Sequence, residues 1–247
     1  MDKNWLCLST TDKNAHLLAK KFGLDIEIAE YCTAWNLDEK LPETDALVQE
    51  KLVGIENRIL HGPFNELFPC AIDPLARKLA AYRYRQAAER AKAYGAKKLV
   101  LHGGYNPRIY YPEWYVEQSI QFWREFFQQD PGIEIVLENV LEEEPEMLLD
   151  IIRGVDREDF RMCLDVGHVN VYSEIPVQVW VETCAPWLDH FHVHNNDGSW
   201  DTHSPLREGT IPIRELMGDI RHLCPKATVT LELLDGSTSV PWLLEEI

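Results

Sequence analysis

The sequence predicts an α/β fold, a closed barrel of eight parallel strands surrounded by helices, and three observations lead to it. Short apolar runs rich in β-forming residues alternate with longer segments of helical period about eight times along the 247 residues. No series of consecutive hairpins interrupts the alternation, so the strands should be parallel and joined by crossovers. About 250 residues is also the usual size of a (β/α)8 TIM barrel.

Each predicted element follows from its local pattern. The predicted strands are the apolar runs Trp5–Ser9, Ile26–Tyr31, Arg58–Gly62, Lys98–Gly103, Glu134–Asn139, Arg161–Val166, His190–His194 and Ala227–Leu233. The predicted helices are Asn14–Phe22, Thr44–Val53, Pro74–Tyr94, Glu113–Gln129, Pro145–Val155, Val177–Cys184 and Ile213–Leu223, with the tail Val240–Ile247 as a candidate eighth helix.

An open doubly wound sheet is the alternative arrangement of parallel strands. It would be expected to carry a Gly-rich turn after its first strand, where this sequence has Ser9-Thr10-Thr11-Asp12. The barrel is therefore preferred, and residues 1–247 are predicted to form a single domain because no linker divides them. The short last helix leaves open whether the chain or a partner closes that edge of the barrel. The exposed outer helices are compatible with a homodimer.

Composition narrows the class of protein. The formal net charge of -17 disfavours binding to a phosphate backbone, although it does not exclude nucleic acid as a partner. No apolar run approaches the roughly 20 residues that a membrane helix needs, and Met1–Asn4 leads into a strand-like segment without a signal-peptide core, so we expect a cytoplasmic protein. The six cysteines form no C-x-x-C pair, so His and carboxylate side chains must hold any metal.

Six successive predicted strands carry a metal-ligand residue type at the end where a barrel builds its active site. The residues at these ends are His61, His102, Glu138, Asp165 with nearby His168, His194 and Glu232, and the loop after the seventh strand adds Asp201 and His203. Converging carboxylates repel one another unless a cation lies between them, and few Lys or Arg residues occur at these ends. The pattern therefore predicts a divalent metal site; the donor types allow Zn, Mn or Mg.

The seventh strand contains three alternating histidines that should all point to one face. Only His194 lies at the strand end where the other candidate ligands gather. We therefore predict packing or supporting roles for His190 and His192.

Several motifs together resemble the xylose isomerase-like TIM-barrel superfamily. They are His61-Gly62-Pro63-Phe64, Val100-Leu101-His102, Leu137-Glu138-Asn139, Leu164-Asp165-Val166-Gly167-His168, Val193-His194 and Leu231-Glu232. This superfamily includes sugar phosphate isomerases and epimerases and the endonuclease IV-type AP endonucleases (AP endonuclease family 2). The resemblance covers nearly the whole chain, and it is more specific for the superfamily than for the reaction.

The resemblance implies two alternative metal centres. The epimerases have a single metal ion in common, and the residues that match its four ligands here are Glu138, Asp165, His194 and Glu232. The endonuclease-like members imply up to three ions. In that case His61 and His102 would hold another ion with Glu138 bridging, and a third would be held by His168, Asp201 and His203. Asp201-Thr202-His203 followed by Glu208-Gly209 resembles a motif of that branch that also occurs in isomerase-like proteins.

Two activities follow from these alternatives. The first is metal-dependent isomerisation or epimerisation of a small sugar or sugar phosphate, with Glu138 and Glu232 as base and acid and His168 orienting the substrate. The second is phosphodiester hydrolysis at a trinuclear zinc site, as in AP endonucleases. The acidic charge and the short loops, which carry few basic residues, favour the first over the second.

Overall fold

A computed structural model of the chain describes residues 5–246. Its eight strands are β1 (Leu6–Ser9), β2 (Asp25–Ile28), β3 (Arg58–His61), β4 (Lys98–His102), β5 (Glu134–Glu138), β6 (Phe160–Asp165), β7 (Leu188–Val193) and β8 (Thr228–Leu231). The strands pair in parallel in chain order and form a closed barrel. The predicted fold class is confirmed. The expectation about a signal peptide concerns Met1–Asn4, which lie outside the described residues.

The helices surround the barrel. They are α1 (Ala15–Phe22), α2 (Ala34–Leu37), α3 (Leu41–Lys51), α4 (Pro74–Ala93), α5 (Pro112–Phe126), α6 (Pro145–Val155), α7 (Val166–Tyr172), α8 (Val177–Cys184), α9 (Ile213–Leu223) and α10 (Ser239–Glu246). Three of them match the predicted bounds residue for residue, and the sequence patterns missed α2 and α7. Within residues 5–246, none of the helices is long and apolar enough to cross a membrane.

The last edge of the barrel is closed by the chain itself. β1 pairs in parallel with β8, in a register that places Leu6 opposite Val229 and Leu8 opposite Leu231. The alternative of an edge left open or completed by a partner is therefore wrong. A short final helix does not prevent closure, because the backbone hydrogen bonds of β8 to β1 and β7 complete the ring of strands.

Apolar residues lie on both sides of the strands. The larger core is packed between the strands and the outer helices, and it includes a cluster of large aromatic side chains around Trp123. A smaller core fills part of the barrel interior with Cys7, Ile59, Val100, Val136 and Cys163. The interior also holds buried polar side chains, which are described next.

Candidate metal centre

All six predicted strand ends meet at one mouth of the barrel. Together with His192, their donor atoms form four groups among the described residues, and within each group one donor atom from every residue lies within 4.8 Å of the others. The first group is His61, His102 and Glu138; the central group is Glu138, Asp165, His192 and Glu232; the outer group is His194, Asp201 and His203. The fourth, His61, His192 and Glu232, overlaps the first and central groups. His168 adjoins the outer group, since its Nε2 lies 3.4 Å from Asp201 Oδ2. The structure thus brings all nine predicted ligands together.

Glu138 joins the first group to the central group. Its Oε2 atom lies 3.1 Å from Nε2 of both His61 and His102, and its Oε1 atom lies 3.2 Å from His192 Nδ1. The carboxylate is 1% exposed, at the end of β5. A buried carboxylate with an imidazole nitrogen near each oxygen atom has the geometry of a bridging ligand.

Three histidines are oriented in the same way. The Nδ1 atoms of His61, His168 and His203 lie 2.8–2.9 Å from the backbone carbonyls of Gly62, Asn139 and Glu232. A carbonyl oxygen only accepts, so each Nδ1 must carry the proton and donate it. In the neutral ring Nε2 then keeps its lone pair, and all three Nε2 atoms face carboxylates of the site. Histidines that bind metals commonly show this arrangement.

The end of β6 is fixed by hydrogen bonds to the end of β5. The Asn139 side chain accepts from the Asp165 amide at 2.8 Å and donates to the Asp165 carbonyl at 3.0 Å. Asp165 is the N-cap of α7, where its Oδ1 accepts from the His168 amide at 2.7 Å. Its buried Oδ2 has no hydrogen-bond partner among the described residues. One carboxylate oxygen thus holds the helix, and the other is free for a ligand.

Two backbone features bring the outer group together. A Cβ atom added at Gly167 would lie 1.9 Å from Cε1 of His194, so only glycine allows that ring to pack against the start of α7. His203 has a φ of 46°, in the left-handed region that costs a non-glycine residue about 1–2 kcal/mol. Backbone strain of this kind concentrates at functional sites.

The residues present fit a divalent metal. Besides Asp165 Oδ2, five buried donor atoms of these groups have no hydrogen-bond partner among the residues that the structure describes: His102 Nε2, His192 Nε2, both ring nitrogens of His194 and Asp201 Oδ1. Unsatisfied buried polar atoms are costly and rare in proteins. Several lie together at one barrel mouth, on imidazole and carboxylate groups, which are donor types that a divalent cation could bind.

When no metal is present, protonated imidazoles balance the negative charge of the carboxylates in this site. Burial lowers the pKa of His168, but Asp165, Asp201 and Glu138 outweigh it and raise the pKa to about 10. Burial likewise opposes a raised pKa for His203, yet Asp201 and Glu232 bring it to about 9. Burial alone would raise the pKa of Glu138, whereas the imidazoles of His192 and His102 hold it well below its usual range. A metal ion would replace these protons.

The sequence patterns gave His192 a packing or supporting role and did not identify Glu27. His192 is fully buried, and its Nδ1 lies 3.2 Å from Glu138 Oε1 and 3.3 Å from Glu232 Oε2, so it takes part in the central group. His194 Nε2 lies 3.2 Å from Asp165 Oδ1, between the central and outer groups. Glu27 on β2 contacts His192 from below. The alternation Asp25-Ile26-Glu27-Ile28 could have identified Glu27, because alternate residues of a barrel strand point inward.

Comparison with known proteins assigns the chain to a family. Residues 18–246 match the family model described as xylose isomerase-like TIM barrel. The chain therefore belongs to this family.

Three relatives show how far the similarity extends. The uncharacterized protein MJ1311 of Methanocaldococcus jannaschii is 28% identical over 185 residues, which are 70% of this chain and 63% of that protein. The chain thus spans less than two thirds of that curated relative. A D-tagatose 3-epimerase-like protein has a TM-score of 0.82 at 23% identity, with 98% of this chain and 96% of that chain covered. The TTHB071 protein from Thermus thermophilus, soaked with ZnCl2, has a TM-score of 0.78 at 25% identity, with 99% of this chain and 98% of that chain covered.

Proposed function

We propose that the chain is a divalent-metal-dependent isomerase or epimerase that acts on a small sugar-like molecule by proton transfer. The observation that carries the proposal is the central group, in which two glutamates suited to proton transfer, Glu138 and Glu232, place donor atoms within 4.8 Å of each other and of donor atoms of Asp165 and His192. The family supports it, as does the similarity of the fold to an epimerase-like protein and to a protein soaked with zinc.

The central group supplies the residues that would hold the essential ion. Glu138, Asp165 and Glu232 offer carboxylate oxygens there, and His192 or His194 offers an imidazole nitrogen. A bound divalent ion would polarise adjacent carbonyl and hydroxyl oxygens of a sugar and make the intervening C–H bond more acidic. Zn, Mn and Mg all accept these donor types.

Two glutamates of this group are suited to moving the proton. Glu138 and Glu232 come from β5 and from the end of β8, and their carboxylates approach within 4.8 Å. Glu232 is the more accessible, at 12% against 1%, so we assign it the proton abstraction, with Glu138 as the second group of the proton exchange. General acid–base catalysis of this kind typically contributes about 10²–10⁴-fold to the rate.

Other residues at the mouth would orient and cover the substrate. His168 donates its Nδ1 proton to the Asn139 carbonyl, which fixes the ring and directs its Nε2 toward Asp201. The ring of Phe64 stacks on His102 with centroids 4.6 Å apart and is partly exposed. It offers an apolar wall against which the carbon face of a sugar can pack.

Exchange of substrate hydrogen with solvent tests this function. The protein loaded with Mn²⁺, Co²⁺ or Zn²⁺ is incubated with ketoses and aldoses in D2O, and deuterium next to the carbonyl is followed by NMR. We expect incorporation with at least one sugar and its loss in Glu232→Gln. The matched control is Glu117→Gln, a carboxylate on the exposed face of α5, which should exchange like wild type.

Hydrolysis of a phosphodiester is the second candidate, and one observation favours it. The donors form overlapping groups, with Glu138 shared by two of them, and the outer group shares no residue with the others, so the mouth has donors for more than one ion. The net charge of -17 argues against DNA as the substrate. Metal analysis giving about three zinc ions per chain, cleavage of an abasic-site oligonucleotide and no deuterium exchange would establish this reaction in place of isomerisation.

A further inference from the structure

A layer of fully buried polar side chains adjoins the central group and shares His192 with it. Glu27 comes from β2, His190 and His192 from β7 and Thr230 from β8, and none of the four is accessible to solvent. Glu27 Oε2 accepts a hydrogen bond from Thr230 Oγ1 at 2.5 Å and lies 2.9 Å from His190 Nε2. Its other oxygen, Oε1, lies 3.0 Å from His192 Nε2 as an ion-pair contact, and neither of these two atoms has a hydrogen-bond partner among the described residues.

The packing of the barrel does not require a carboxylate at this position. In the strand register Glu27 is opposite Ile59, one of the apolar residues that fill the barrel interior. Removing an ionised carboxylate from water costs several kcal/mol, and no Lys or Arg among the described residues forms a salt bridge with Glu27.

The second ring nitrogen of His192 points the other way, toward the metal-ligand carboxylates. Nδ1 lies 3.2 Å from Glu138 Oε1, 3.3 Å from Glu232 Oε2 and 3.8 Å from Asp165 Oδ2. In this structure Nδ1 is hydrogen-bonded to Glu138 Oε1. When the ring proton lies instead on Nε2, which faces Glu27, the neutral ring keeps a lone pair on Nδ1. Three carboxylates repel a lone pair, so this orientation is favourable when a cation lies among them.

We infer that Glu27 is a positioning residue for the metal: it holds His192 so that Nδ1 is presented to the ion of the central group. The inference rests on the metal dependence proposed above and adds a carboxylate–histidine–metal relay from the barrel interior. His190 fixes the second oxygen of Glu27, and its own Nδ1 lies 2.7 Å from Thr228 Oγ1. Glu27 is therefore held from two sides, which leaves His192 little freedom to rotate.

Binding of Co²⁺ tests the inference, because its visible absorption reports the number and type of ligands. Affinity is measured by competition with a chromophoric chelator. We expect Glu27→Ala to bind Co²⁺ about 10–100-fold more weakly than wild type, the loss typical of removing a partner of a metal-bound histidine, with an altered spectrum. Glu27→Gln keeps the shape without the charge and should lose about tenfold.

A double-mutant cycle asks whether Glu27 acts through His192. If it does, Glu27→Ala combined with His192→Ala should bind Co²⁺ no more weakly than His192→Ala alone. Additive losses would show that Glu27 acts by another route and would overturn the inference. Wild-type affinity and spectrum in both Glu27→Gln and Glu27→Ala would overturn it too, and Glu27→Gln decides alone if the alanine variant does not fold.

The matched control is another buried carboxylate, Glu142, which accepts hydrogen bonds from Tyr115 Oη and the Val140 amide, both at 2.6 Å. Glu142→Gln should lower the Tm and leave the Co²⁺ affinity and spectrum unchanged. If Glu142→Gln lost as much Co²⁺ affinity as Glu27→Gln, a specific role for Glu27 would be contradicted. Wild-type protein that takes up no Co²⁺ would overturn the proposed function itself. That result differs from a Glu27 variant that binds like wild type.

Discussion

The two sides of the barrel wall contrast sharply in chemistry. On the outside, Trp123 is fully buried among aromatic rings, with centroids 5.6 Å from Tyr84, 5.5 Å from Phe126 and 5.0 Å from Phe160. On the inside, at the mouth, equally buried positions carry Glu138, Asp165 and other ionisable side chains. The same strands therefore supply apolar residues to one face and charged residues to the other.

This difference separates stability from function. Burial of apolar area is the main favourable contribution to folding, and the outer layer provides most of it here. Buried charged groups seldom stabilise a fold, because desolvation offsets their mutual attraction. The barrel tolerates a charged mouth because the outer layer holds it together, and each side can be altered by itself to test this division.

The largest effect on stability is expected in the outer layer. Trp123→Ala removes the centre of the aromatic cluster and should lower the free energy of unfolding by about 3–5 kcal/mol, because it loses transfer free energy and leaves a cavity. Denaturant unfolding measures this. The control Trp200→Ala, at a side chain 70% exposed, should change stability by less than about 0.5 kcal/mol. If folded Trp123→Ala protein lost metal affinity, the division between an outer layer that provides stability and a mouth that provides function would be contradicted.

The next effect is expected at the mouth, in metal affinity. Glu138→Gln removes the carboxylate that two ligand groups share, and Zn²⁺ should bind more than about a hundredfold more weakly, beyond the usual loss for an outer partner of a ligand. Competition with a chelator of known affinity provides the measurement. Retention of wild-type Zn²⁺ affinity would show that Glu138 is not a ligand.

Proton competition should make stability and metal binding respond to pH in opposite directions. The raised pKa values of His203 and His168, about 9 and about 10, stabilise the metal-free protein fully below about pH 6.5. That contribution is lost as the pH rises through about 9 and 10. Metal affinity instead rises with pH, because the ion must displace these protons.

Two measurements check this prediction. The Tm of the metal-free protein, prepared with a chelator, should fall as the pH rises from 6.5 to 10. Calorimetry of Zn²⁺ binding at pH 7.5, in two buffers with different ionisation enthalpies, should detect proton release. Binding without proton release would mean that the imidazoles are already neutral at that pH.

The smallest effect is expected on the surface. Arg157 pairs with Asp159 through two hydrogen bonds of 2.7 Å, but both side chains are more than a third exposed. Solvent screens such pairs, so Arg157→Ala should cost no more than about 1 kcal/mol and leave metal affinity unchanged. A larger loss of stability would mean that the packing of Arg157 on the ring of Phe127 matters more than the ion pair.

Most of the fold follows from the sequence, because barrel strands and helices have strong local patterns, and the position of the candidate ligands at one mouth of the barrel follows from the strand ends. The helix α6 was predicted at its exact bounds by Pro145 at its start and by its apolar stripe. The helix α7 was missed because Val166-Gly167-His168-Val169 has the composition of a strand end. Asp165 starts that helix by capping it, and this role is visible only when its hydrogen bond to the His168 amide is known.

The parts of the site that were missed depend on contacts between distant strands. Glu27 and His192 are 165 residues apart, and nothing in either local sequence indicates that they meet. In the central group, a ring nitrogen of His192 lies within 4.8 Å of the carboxylate oxygens. The position along the strand alone had favoured His194 as the ligand there. Parallel strands bring together residues whose separation in the chain carries no signal.

The donors of the mouth come from six strands, and this has a consequence for how the chain is held together. His61 and Glu232 lie 171 residues apart, and a bound ion would tether segments spread over more than two thirds of the polypeptide. Such a tether acts like a reversible cross-link, and its entropic benefit grows only slowly with the length of the enclosed loop. Removing the ion with a chelator should therefore lower the stability of all the strands of the barrel together. Amide hydrogen exchange should then become faster in β3 as well as in β8.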